Sequence, residues 1–221
     1  MSDSHQAERE NLLSFRWLLF FPASGGSEQG LANSEYQSIE AVFKQVDRQL
    51  WIVTAADGPR RGGLVATFVS KASLDPERPT VSIALAVNHF TRELVDASGA
   101  FALHLISREQ VELAWRFALG SGRDRDKLSG LKASGVETGS PVLDDCLAWL
   151  DCRVYDRHDG GDRIYYWADV VRGKSLGTAT PLTEQQLIAL ASEQQKQQLR
   201  QDMESDIVRQ RPLLEAYRHP R

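Results

Sequence analysis

From Thr80 to Val87 the chain alternates without a break: Val81, Ile83, Leu85 and Val87 are large, while Ser82, Ala84 and Ala86 are small. A period of two puts alternate side chains on opposite faces of an extended chain, so this segment predicts a strand with one bulky face and one small one. The bulky face suits a core. The small face leaves room for a closely approaching helix or a flat ligand. Further strands are predicted at residues 50–54, 64–70, 100–106, 147–156 and 163–171. The last two flank His158-Asp159-Gly160-Gly161-Asp162, a hairpin signal, and Asp57-Gly58-Pro59 is turn chemistry. These strands do not alternate regularly with helices, which disfavours a doubly wound parallel sheet. The pattern predicts a mainly antiparallel barrel with helical decoration, and no long internal repeat is visible.

Helical spacing of Ile39, Val42, Phe43 and Val46 predicts a helix over 34–48, with Ser34 and Gln37 as its capping box. Thr91 is expected to cap a short helix ending at Ser98. Ser107 and Gln110 form a capping box opening a helix through Val111, Ala114, Trp115 and Ala118. Residues 120–130 read as a polar loop. Thr183 and Gln186 are expected to cap one long helix whose apolar stripe (Leu187, Leu190, Leu199, Ile207) is thin, with Pro212 breaking it. The domain division expected is an apolar segment and Gly/Ser-rich linker over 1–33, a central domain over 34–178 and a helical tail over 179–221.

The charge balance excludes one class of function. Lys plus Arg number 26 and Asp plus Glu 30, a formal net charge of −4, which argues against a general nucleic-acid binder. Cys146 and Cys152 are too few for a disulfide framework, and no Cys/His spacing suits zinc, so both are expected to be reduced core thiols. The most apolar stretch, residues 12–21, is interrupted by Arg16 and follows Asp3, Glu8 and Glu10. It is read as a core-docking or partner-covered segment, with no membrane span and a cytoplasmic location. No G-x-G-x-x-G follows a strand, and no G-x-S-x-G elbow is present. Ala168 stands where a Walker A loop over 168–175 would need glycine. His104 falls inside a strand and reads as a structural histidine. A chain without an obvious catalytic set is suited to chemistry carried by a cofactor.

One constellation remains. Residues 60–76 are rich in Gly, Ala, Ser and Thr, with Thr67, Ser70 and Ser73 three apart. Small residues let a backbone approach a planar ring, and hydroxyls bind its polar edge; a strand followed by a Ser-rich turn is the plainer alternative. Downstream, Asn88-His89-Phe90-Thr91-Arg92 could set helix amides, with His89 or Arg92, against a phosphate, or could be a plain capped helix.

The ordered series LWIVTA, SKASLDP, the alternating strand, NHFT, FALHLIS and FALGSGRDRDKL resembles the flavin reductase-like, FMN-binding split-barrel family over residues 38–172. The resemblance implies a split β-barrel, antiparallel, binding FMN in a homodimer, with NAD(P)H as co-substrate and electrons passed to free flavin or an electron-acceptor protein. It places the flavin-contact strand and turn on Thr67, Ser70, Lys71, Ser73 and Asp75. The phosphate-side segment falls on Asn88, His89 and Thr91. Phe117, Ser121, Arg125 and Lys127 are placed to close over the flavin or the nicotinamide side. There are departures: Glu77 stands where many members have a second proline, and His104 where many have asparagine. The N-terminal segment and the Gln-rich tail have no counterpart in the resemblance.

Hydride transfer to a flavin needs stacking and proximity more than a protein acid or base, which agrees with the missing dyad. The leading expectation is an FMN-dependent oxidoreductase. Its rivals are a non-catalytic FMN-binding redox carrier or sensor and, more remotely, a related barrel oxidising an aminated phosphate substrate.

Overall fold

The computed structural model describes residues 33–219, so the expectations for the apolar segment and most of the linker lie outside the described residues. The chain divides after Val46 into two compact units. The described part of the first is centred on helix α1 (Asn33–Phe43), which starts one residue before Ser34 rather than being capped by it. All other elements belong to the second unit.

Its centre is a seven-stranded sheet in the order β2-β1-β5-β8-β9-β4-β3, antiparallel at every pairing. The strands are β1 (Trp51–Asp57), β2 (Arg60–Ala66), β3 (Val69–Lys71), β4 (Thr80–Ala86), β5 (Ala100–Leu105), β8 (Ala148–Asp159) and β9 (Arg163–Ser175). A small hairpin, β6 (Ala133–Gly135) with β7 (Pro141–Leu143), stands apart. The edges of the large sheet are β2 and β3, yet only Thr67 and Phe68 separate them in sequence. A two-residue link spans under about 10 Å, so the sheet must curl until its edges approach. Register shifts between β8 and β9, at Asp151/Cys152 and at Val154/Asp156, are the bulges that help it bend. The split barrel expected from the sequence is the observed architecture.

Strand alternation feeds two cores. Val53 and Ala55 of β1 point to one side with Ile83, Leu85, Phe101, Leu103 and Tyr166, closed by Leu94 and Val95 of helix α2 (Phe90–Ser98). Ile52 points to the other, against Ala114, Trp115 and Phe117 of helix α3 (Val111–Ala118), Leu143 and Leu182. Gly99 at φ 66° ends α2, a left-handed position that glycine adopts without a Cβ penalty. The Ser107–Gln110 capping box is present and leads into α3. Cys146 and Cys152 are free and buried; burial pushes the Cys146 thiol up to about 11 and the Cys152 thiol higher still.

Two expectations for the tail are corrected. Thr183 caps only a short helix, α4 (Glu184–Ala189), and a second capping box, Ser192 with Gln195, opens α5 (Glu193–Arg218). Pro212 does not break α5, which runs on for six more residues. A proline deprives the carbonyl four residues back of its partner, and here that residue, Val208, is 74% exposed, so water can satisfy it. Among the described residues no helix is long and apolar enough to cross a membrane.

Candidate functional site

The bulky face of β4 fills the core; on its small face Ala86 is buried, and a shallow groove runs over Ser82 and Ala84. Ser70 of β3 lies opposite Ser82, and Tyr165 of β9 lies opposite Ala84. Together with Thr67 and Phe68 these residues line a groove of about 270 Å³. Hydroxyls and small side chains form its floor, and Tyr165 is its one ionisable lining residue. A wider groove of about 410 Å³ adjoins it, bounded by His158, Asp162, Arg163, Tyr217 and Arg218 and sharing Phe68 and Tyr165. Phe68 is 49% exposed and meets two guanidinium groups, with Arg163 4.9 Å and Arg48 5.2 Å from its ring centre. Cations over an aromatic face are attracted to its π cloud, and both are also paired with carboxylates, Arg48 with Glu184 at 2.8 Å and Arg163 with Asp162 at 3.5 Å.

Beyond Ala86 the chain turns through Asn88 and His89 into α2. Thr91 is not the cap: the helix starts at Phe90, His89 occupies the N-cap, and Thr91 is buried within the first turn. Arg92 is turned back onto the Val87 carbonyl and Asp96, within α2's own network. Burial works against the Asp96 charge, but hydrogen bonds from Arg92, Tyr166 and Arg157 hold its carboxyl below the usual carboxylate range.

Helix α5 lies across this corner. Asn88 Nδ2 donates to Asp206 Oδ1 at 2.7 Å, and His89 Nε2 sits 3.1 Å from Asp206 Oδ2. Gln210 Nε2 donates to Asn88 Oδ1 at 2.9 Å. One turn back, Asp202 Oδ2 accepts the Gly120 N–H at 3.4 Å, and at the far end Tyr217 meets His158 at 3.1 Å. Burial disfavours the Asp206 charge, yet the His89 and Asn88 contacts keep its carboxyl below the usual range.

The loop after α3 braces the same region. Arg123 reaches the Asn88 carbonyl at 3.0 Å and also pairs with Glu93, its guanidinium 5.7 Å from the Phe90 ring centre. Ser121 Oγ accepts the Arg123 N–H at 3.1 Å. Arg125 donates to the carbonyls of Arg116 and Leu119, and Lys127 Nζ to that of Phe117 at 2.8 Å, satisfying the C-terminal end of α3. Desolvation lowers the Lys127 ammonium to about 8. Phe117 is fully buried, its ring pressed on the backbone at Gly63.

The residues named from the sequence therefore separate into groups. Thr67 and Ser70 share the smaller groove; Asn88 and His89 share the corner under α5; Phe117, Lys127 and Thr91 face inward. Lys71 is exposed, and Ser73 and Asp75 shape their own turn through the N–H groups of Asp75 and Glu77. Sequence reasoning missed Phe68 and Tyr165 as lining residues, and marked Ser82 and Ala84 only as a small strand face with room for a helix or a flat ligand.

Comparison with known proteins agrees with this architecture. The chain is 30% identical over 140 residues to a putative diflavin flavoprotein of Nostoc, covering 63% of this chain and 24% of that one. It is 31% identical over 136 residues to a high molecular weight rubredoxin of Moorella thermoacetica, covering 61% and 58%. The chain thus spans about a quarter of the first relative and over half of the second. The structure of nitrilotriacetate monooxygenase component B from Mycobacterium thermoresistibile superposes with a TM-score of 0.59 and 28% identity, covering 68% of this chain and 82% of that one. Residues 43–186 match the model of the flavin reductase like domain, and the chain belongs to that family.

Proposed function

We propose that the protein is an FMN-binding oxidoreductase that takes electrons from NAD(P)H and passes them to free flavin or a partner protein. The observation that carries this reading is the open groove over Ser70, Ser82 and Ala84, walled by Phe68 and Tyr165. Its shape suits a flat ring: small residues beneath, aromatic residues at the side and hydroxyls of Thr67 and Ser70 for a polar edge. The two adjoining grooves, about 270 and 410 Å³, reach the size range of small-molecule sites. Asn88 and His89, just past the end of β4, would take the anionic end of the cofactor.

When bound, FMN supplies a reversible hydride acceptor, so the protein needs no acid or base of its own. Tyr165 and Phe68 would exclude water and hold the ring, while Thr67 and Ser70 orient it. The exposure of Phe68 and Tyr165 supports a homodimer in which a second copy covers the groove. The cofactor-binding domain we assign is residues 34–178.

A second reading, a non-catalytic FMN carrier or sensor, is favoured by the position of α5 across Asn88 and His89. The visible spectrum of the purified protein and stopped-flow reduction separate the two. Flavin bands that bleach on mixing with NADH or NADPH support the oxidoreductase, and bound flavin that stays oxidised supports the carrier. A colourless protein with no rise in melting temperature on adding FMN ends both.

A further inference from the structure

The middle of the docked face of α5 is polar. Asp202, Asp206, Gln210, Leu213 and Tyr217 follow one another at intervals of three and four, so they share one side of the helix. That side faces Gly120, the Asn88–His89 pair and the hairpin at Gly161 and His158. Met203, Ile207 and Val208 are exposed, and so in good part are Leu213 and Tyr217. Leu199 anchors the start of the helix against the second core, but from Asp202 onward the contacts are mainly hydrogen bonds. A segment with so little apolar burial is drawn from the easily released part of a structure. Moreover, α5 lies wholly beyond the residues that match the family.

The contact at the corner has the chemistry of ligand recognition. A carboxylate accepts from the Asn88 amide with one oxygen and meets the His89 ring with the other. Two donors converging on one anion would serve a phosphate monoester equally well. His89 Nδ1 is buried without a partner, so its other ring nitrogen does not tether it in this orientation. We propose that α5 is a displaceable strap: its Asp206 carboxylate occupies the subsite for the flavin phosphate, and FMN must expel the helix from that corner to bind fully. This rests on the flavin reading above. The strap makes the phosphate-binding state a fraction of the population, which weakens apparent affinity by that fraction.

Titration of the full chain with FMN and with riboflavin, which lacks the phosphate, tests it. Asp206→Ala should tighten FMN about tenfold and leave riboflavin unchanged, while Glu204→Gln, on the exposed side, should alter neither. Hydrogen exchange on the unaltered protein gives a second measure independent of any variant. FMN should speed exchange of the amides over 202–217, and riboflavin should not. FMN bound with equal affinity by both forms, with α5 still protected, overturns the strap and leaves the flavin reading intact. If no form binds FMN or riboflavin, both fall.

Discussion

His104 and Leu143 are joined through a ring nitrogen and a backbone amide: His104 Nε2 accepts the Leu143 N–H at 3.1 Å. The other nitrogen, Nδ1, lies 3.1 Å from the Ile52 carbonyl, which can only accept. The partners therefore dictate one neutral tautomer, with the proton on Nδ1. The ring is fully buried, and desolvation drives its pKa down to about 4 from the ordinary 6.5. In the unfolded chain it titrates normally, so between those values the unfolded state binds more protons. The associated stability is complete above 6.5 and is lost as pH falls towards 4. Between pH 7 and pH 5 the loss from this residue alone is about 2 kcal/mol. Urea unfolding of the wild type and His104→Asn at the two pH values checks this. The stability gap between them should shift against the wild type at pH 5, and an unchanged gap would show that the ring is not held neutral.

Gly63 gives a prediction about packing. A Cβ there would lie 2.6 Å from the Phe117 ring and 2.8 Å from the Val53 carbonyl. The backbone oxygen cannot swing away, and Phe117 is locked in the second core. Gly63→Ala should cost about 2 kcal/mol through overpacking, or roughly 4–8 °C in Tm for a chain of this size. Calorimetry reads it directly. An unshifted Tm would mean that α3 can slide away from β2.

What could be read in advance was what local chemistry decides. The alternation over 80–87 gave a strand and distinguished its faces, and Ser107 with Gln110 gave a helix start. Both depend on residues a few positions apart. The cap at Thr91 failed because burial overrode preference: the β4 turn brings His89 to the helix start and draws Thr91 inside. The seat of α5 was illegible for a different reason. Hydrophobic spacing searches for an apolar stripe, and this helix docks through Asp202, Asp206 and Gln210. The meeting of Phe68 with Tyr165, nearly a hundred residues later, depends on the chain pairing on both sides of Ala84 in β4, which no local pattern encodes.

Asp151 is buried, and its carboxylate accepts the N–H groups of Glu137 at 2.8 Å and Thr138 at 3.0 Å, together with the Thr138 hydroxyl. It thereby ties the β6–β7 hairpin to β8. Asp151→Ala would leave these donors unpaired, at a cost of about 1–3 kcal/mol for the buried groups. Hydrogen exchange should show the 137–138 amides losing protection before the rest of the sheet. If they remain as protected as in the wild type, other groups are holding that loop.

The groove itself can be tested from both sides. Thr67→Val with Ser70→Ala removes two hydroxyls while nearly preserving shape, and should weaken FMN binding by about 1–3 kcal/mol, roughly 5- to 150-fold in Kd. Ser82→Phe instead fills the floor. Because Ser82 points away from the barrel core, the larger ring should leave Tm nearly unchanged and displace the flavin. Fluorescence titration with FMN, beside a thermal melt of each variant, distinguishes loss of site from loss of fold. If both variants melt normally and bind FMN as the wild type does, the ring lies elsewhere: the face of Ser70, Ser82 and Ala84 would then be a surface awaiting a protein partner.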